Sequence, residues 1–198
     1  ILSTELNVTN SYTIYPAVII PASAPAIAQQ HYIWRNDDGS ESSASYSVNE
    51  DTVLSSGVYV GDTRRLRIQI QNGNAGSATG YTYKLFHASS TDSCTTYVPV
   101  PNYGSAVNEH FEMSLSSNIA NNGATPAHLA GLTNPGITYV SGFTKTSDNQ
   151  TTAHTLAANE YTELEYSIKS RSVAVVGTTY CFRLRNVDSI TNFNYLQT

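Results

Sequence analysis

The first twenty residues, ILSTELNVTNSYTIYPAVII, constrain the fold more than any other stretch. Leu2, Leu6, Val8, Tyr12, Ile14, Val18 and Ile20 occupy even positions, while Ser3, Glu5, Asn7, Thr9, Ser11 and Thr13 occupy odd ones. A period of two is the mark of a strand with one buried face. At ~3.3 Å per residue the run reaches about 60 Å, well beyond the ~17–20 Å of an ordinary strand. Either it divides at Asn10-Ser11 or Pro16 into two ordinary strands of one domain, or its apolar face is buried in a neighbouring subunit. Pro21 and Pro25 then mark an extended connector, PASAPAIAQQ, because proline removes a backbone donor and holds its predecessor in β or polyproline geometry. Residues 1–30 are therefore expected to form an arm and joint, and residues 31–198 a single β-sandwich domain.

Composition agrees with sheet. Tyr, Thr, Ser, Asn, Val and Ile dominate the 198 residues, and 13% are charged. β-branched and aromatic residues among small polar ones favour strands, and no stretch has a helical period. The expected fold is all-β, an antiparallel sandwich of jelly-roll or immunoglobulin-like type, with an extended N-terminal strand. A net charge of -5 and a pI near 5.4 argue against nucleic acid as a partner. No apolar run of 18 residues suggests a membrane span. The start at Ile1 fits a chain whose leader has been removed. The two cysteines, Cys94 and Cys181, are expected to form one disulfide in an exported β protein.

Thr63 to Leu85 aligns without a gap on Thr162 to Leu184 at a constant offset of 99. Leu66, Ile68 and Ile70 alternate in the first copy, Leu164, Tyr166 and Ile168 form a series in the second, and Tyr81, Tyr83 and Leu85 match Tyr180, Phe182 and Leu184. Each copy reads as a hairpin-like pair of strands with one apolar face, so an internal duplication would supply two halves of a sandwich. Shared strand composition is the alternative source of the match.

Candidate sites are few. Asp37, Asp38 and Glu41 lie in and around the Asp38-Gly39 turn and offer hard oxygen ligands for calcium, but the run departs from the EF-hand pattern and the turn explains it more simply. Asn7 and Asn149 begin N-glycosylation sequons. Tyr97, Tyr103 and Tyr195 are less committed to the inferred core face than the other tyrosines, and Trp34, Tyr97 and Tyr103 are the candidate ligand-facing aromatics. Residues 117–136, rich in turn formers, are the expected binding loops. His31, His87, His110, His128 and His154 are scattered without metal spacing, and Glu109, His110 and Glu112 read as a strand start rather than a proton-transfer pair. No catalytic motif, cofactor loop or metal motif is present in the sequence, and no enzyme activity is expected.

YIWRNDDGSE at 32–41 and GTTYCFRL at 177–184 resemble motifs of exported bacterial surface proteins of β-sandwich type. In overall plan, an alternating N-terminal arm, a Pro-marked joint and a polar β-sandwich resemble filament subunits, pilus or biofilm fibre, assembled by donor-strand complementation in bacteria and archaea. The resemblance implies an extracellular, cell-surface subunit that partners itself head to tail, with Leu2, Leu6, Val8, Tyr12, Ile14, Val18 and Ile20 filling an acceptor. The alternative expectation is a secreted carbohydrate-binding or adhesive module with surface polysaccharide as its partner. A jelly-roll-like hydrolase trails both.

Overall fold

The computed structural model describes residues 24–73, 76–187 and 193–196. The arm residues Leu2, Leu6, Val8, Tyr12, Ile14, Val18 and Ile20, and the sequon at Asn7, lie outside them. Thirteen strands are described: β1 (Ile27–Asn36), β2 (Thr63–Asn72), β3 (Ala78–Tyr81), β4 (Tyr83–Ser89), β5 (Val98–Pro99), β6 (Phe111–Met113), β7 (Gly123–Thr125), β8 (Thr138–Tyr139), β9 (Gly142–Lys145), β10 (His154–Leu156), β11 (Glu160–Ser170), β12 (Tyr180–Asn186) and β13 (Phe193–Tyr195). The one helical element described is a single 3-10 turn at Ser90–Asp92. The fold is an all-β sandwich.

The larger sheet runs β13-β1-β2-β11-β9-β7, with β6 and β8 also pairing with β11. A three-stranded sheet, β12-β4-β5, packs over it, and β10 with β3 forms a short ribbon. β2 and β11 are the central strands, antiparallel over ten pairs from Asn72 opposite Glu160 to Thr63 opposite Lys169. Their inner faces, Leu66, Ile68 and Ile70 with Leu164, Tyr166 and Ile168, meet Tyr83, Leu85, Phe182 and Leu184 from the smaller sheet in one core. This is the inward half of a period-two pattern packed sheet on sheet.

The two similar segments do not form hairpins. β2 and β4 of the first copy lie in opposite sheets, as do β11 and β12 of the second, and the copies pair with each other: β2 with β11, β4 with β12. Each sheet thus contains one strand from each copy. The gapless offset also fails in the first strands. Inner Leu66 corresponds to inner Leu164, whereas the offset of 99 sets it against Glu165 on the outer face. A one-residue slip reverses every side chain of a strand. The parity was concealed because both faces of β2 and β11 are buried.

The outer face of the central strands carries charge. Arg35, Arg65 and Arg67 are fully buried there with Glu163 and Glu165. Arg35 Nη1 lies 2.8 Å from Glu165 Oε2, Arg65 Nε 3.1 Å from Glu165 Oε1, and Arg67 Nε donates to Glu163 Oε2 at 2.7 Å. Burial alone would depress the Arg67 guanidinium, but Glu163, Glu165 and Glu41 hold it firmly protonated. Buried charges require such partners. A layer of loops seals the network: Arg67 Nη2 donates to Ala127 O, Gln69 Nε2 to Thr133 O, and Leu129 and Leu132 pack on Ile33 in a second small core. Much of 117–136, expected as binding loops, is therefore a lid over buried ions.

Candidate functional site

β12 is the terminal strand of the smaller sheet among the described residues, and its outer edge borders a groove between the sheets. At one end that edge is occupied. The Leu184 N–H donates to Gln29 Oε1 at 2.9 Å, and the Tyr195 hydroxyl donates to Leu184 O at 2.7 Å. Main-chain groups alternate in direction along an antiparallel strand, so Phe182 and Tyr180 face the same way as Leu184. There the sheet has no further strand among the described residues.

A groove of about 500 Å³ lies against this edge. Its floor is core: Leu66, Ile68 and Ile168 from the larger sheet, all nearly covered. Trp34 stands edge-on to Phe182 at 5.4 Å, and Phe111 stands edge-on to both Phe182 and Tyr180 at 5.0 Å. The walls are loops 53–60 and 174–179. They expose Val53, Val58, Val60, Val175 and Val176, the last at 96%. Contiguous exposed apolar surface of this kind marks interaction sites.

The walls are held by the strands beneath them. Gly61 N–H donates to Ser170 O and Ser170 Oγ to Tyr59 O, which fixes the first loop to the end of β11. Val175 N–H donates to the Tyr180 hydroxyl at 2.9 Å, and Gly177, at φ 80°, lets the second loop turn back into β12. The expected disulfide is present: Cys181 on β12 is bonded to Cys94, with Cα atoms 6.0 Å apart, and clamps the open-edge strand to the turn after β4. The two quoted motifs border the groove from opposite sides. YIWRNDDGSE contributes Tyr32 and Trp34, and GTTYCFRL contributes residues from Gly177 to Phe182.

The other candidate residues are not brought together. Trp34 is in the groove, Tyr97 is on the outer face of the smaller sheet with the Arg183 guanidinium 3.6 Å above its ring, and Tyr103 faces Lys169 at 5.1 Å. Asp37, Asp38 and Glu41 are engaged by protein partners. Asp37 accepts from Ser116 Oγ and Asn118 Nδ2, Asp38 from the Ser45 N–H and Oγ, and Glu41 pairs with buried Arg67. Asn149 is no glycosylation acceptor in the folded chain. It is buried, and its amide nitrogen donates to Leu85 O and Val100 O while its oxygen accepts from the Leu85 N–H.

Among the described residues, His31, Glu50 and Asp51 form a cluster of metal-type ligands that sequence reasoning missed. Its atoms serve the fold. Asp51 accepts from the Tyr32 N–H and faces His31 Nδ1 at 2.6 Å, while Glu50 accepts from the N–H and hydroxyl of Thr133. Of the other titratable residues noted in the sequence, Glu112 pairs with Lys169 at 3.1 Å and His128 with buried Glu163 at 2.7 Å. His87 is buried among Phe111, Phe182 and His110, and burial lowers it to about 4.

Among the described residues, no helix is long and apolar enough to cross a membrane. The disulfide is a bond of oxidising compartments rather than of the reducing cytosol. Comparison with protein-family models, with curated proteins and with solved structures finds no match to this chain.

Proposed function

We propose that this protein is a structural subunit of an extracellular filament, and that the groove beside β12 receives residues 1–20 of a neighbouring copy. The observation that carries the proposal is a strand edge unpaired among the described residues beside an apolar groove, in a chain whose N-terminal segment places its apolar side chains on even positions and only polar ones on odd positions between Leu2 and Ile14. An added strand hydrogen-bonds through its main chain to the edge, while every second side chain enters the groove. Valines lining the walls would then be covered, and an edge that otherwise invites aggregation would be satisfied. Gln29 and Tyr195 block the edge at Leu184, so the added strand starts at Phe182 and continues past Tyr180 towards loop 174–179.

Donation to another copy is favoured over folding back. β1 begins at Ile27 beside β13, and a segment returning from there to lie along β12 would reverse its direction within the Pro21–Pro25 connector. Donation to a neighbouring copy needs no such reversal. Head-to-tail contacts of this kind do not close, and they generate fibres.

The test compares the full chain with a deletion of residues 1–20 by negative-stain microscopy and size-exclusion chromatography. The full chain is expected to form filaments or a ladder of linear oligomers. The deletion variant is expected to be monomeric and to bind a synthetic peptide of residues 1–20. Monomers from both chains, with no peptide binding, would refute the proposal.

A further inference from the structure

Ten lysines and arginines are present, and most answer a carboxylate. Arg35, Arg65 and Arg67 belong to the buried network, Lys145 pairs with Asp148, Arg64 lies 3.6 Å from Asp62, and Lys169 and Arg171 share Glu112. Three have no carboxylate partner among the described residues: Lys84, Arg183 and Arg185. All three project from the outer face of the smaller sheet, where β12 pairs with β4 so that Arg183 lies opposite Phe86 and Arg185 opposite Lys84. In an acidic protein this is a local concentration of positive charge with a regular spacing. Residues two apart on one strand face are ~7 Å apart, and directly opposed residues are about 5 Å apart.

Aromatic rings hold the guanidinium groups in place. Arg183 lies over Tyr97 at 3.6 Å and 5.0 Å from the Tyr195 ring, and Arg185 lies 4.7 Å from the Phe86 ring and 5.9 Å from Tyr97. A guanidinium stacked on a ring keeps its in-plane N–H fork available, and that fork matches a carboxylate in two parallel hydrogen bonds. The Nε atoms of Arg183 and Arg185 are both covered and have no hydrogen-bond partner. The covered Nε atoms face inward, and order and positive charge coincide on the outer face of this sheet.

We propose that this face binds an anionic polysaccharide, a chain of carboxylate-bearing sugars. Carboxylates meet the in-plane forks of Arg183 and Arg185 with Lys84 alongside, while Tyr97 and Phe86 back the guanidinium groups from beneath. A sugar polymer fits better than nucleic acid. Three cations on a chain of net charge -5 are too few to neutralise a phosphate backbone, whose binding relies on many such contacts. The face is on the opposite side of the smaller sheet from the core and is distinct from the groove, so a filament would display it repeatedly and bind with avidity.

Affinity electrophoresis of the full chain through gels containing polygalacturonate or neutral dextran tests the proposal. Polygalacturonate is expected to retard the protein and dextran to leave it unretarded, with retardation weakening as salt rises. Arg183→Gln with Arg185→Gln should lose affinity by about tenfold or more, as expected for removal of charge-assisted hydrogen bonds, with circular dichroism and assembly unchanged. Arg183→Lys, which keeps the charge without the fork, should fall between the two and serves as the readout if the double variant folds poorly. Equal mobility of the wild type in both gels, unchanged binding by the variants, or displacement by duplex DNA as effective as by polygalacturonate would overturn it.

Discussion

His87 shows how a single residue can limit the conditions under which this fold persists. Its ring lies 5.4 Å from Phe111 and 6.0 Å from His110, neither ring nitrogen has a hydrogen-bond partner, and its pKa is lowered from 6.5 to about 4, by burial first and the His110 charge second. The Glu109 carboxylate, 3.8 Å away, is itself substantially exposed and does not offset this. The folded state therefore prefers the neutral ring. Stability is full above about pH 6.5 and falls as pH drops towards 4, by about 3 kcal/mol in total for a shift of this size. Burial depresses His154 in the same direction. Urea denaturation between pH 7 and pH 4 should show His87→Phe losing less stability than the wild type by roughly that amount. Equal losses in the two proteins would contradict the assignment. The sequence displayed His87 only as one of five scattered histidines. Its isolation results from tertiary contacts with Phe111 and Phe182, which no local pattern encodes.

Among the elements, β12 bears most on the proposed function. Its inner face reaches the core through Phe182 and Leu184, its outer face carries Arg183 and Arg185, and beyond Leu184 one edge pairs with no further strand among the described residues. The Cys94–Cys181 bond ties it across a sequence separation of 87 residues. The chain-entropy account assigns about 4–5 kcal/mol to a closure of this length. Cys94→Ala with Cys181→Ala should therefore melt well below the wild type and bind the residue 1–20 peptide more weakly, because the receiving edge loses its tether. A melting temperature and peptide affinity equal to the wild type would contradict this role. The strands themselves were legible: the alternation of Leu66, Ile68 and Ile70 and the GTTYCFRL run both lie where strands form. Their pairing was not. TRRLRIQI and TELEYSI each look like a strand with a solvated charged face, yet under a lid Arg67 lies directly opposite Glu165, with Arg65–Glu165 and Arg67–Glu163 as diagonal pairs. Opposite charges on two distant segments signal such a layer only once the strands are known to be neighbours.

At the scale of the whole molecule, a sandwich with a three-stranded sheet over a broad one leaves an apolar groove beside one edge. The sequence contains a segment suited to such a groove, and the groove itself is assembled from stretches more than a hundred residues apart, Tyr32 and Trp34 on one side and Gly177 to Phe182 on the other. The arm was visible as periodicity, while its acceptor required the fold. The most direct test identifies whose groove the arm occupies. Unlabelled and nitrogen-15-labelled protein, each with a photo-crosslinking residue in place of Val8, would be unfolded together, refolded, illuminated and digested for mass spectrometry. Crosslinks from the arm to peptides spanning 174–182 that join labelled to unlabelled chains are the predicted result. Crosslinks confined to chains of one isotope, or to peptides away from β12, would contradict the account.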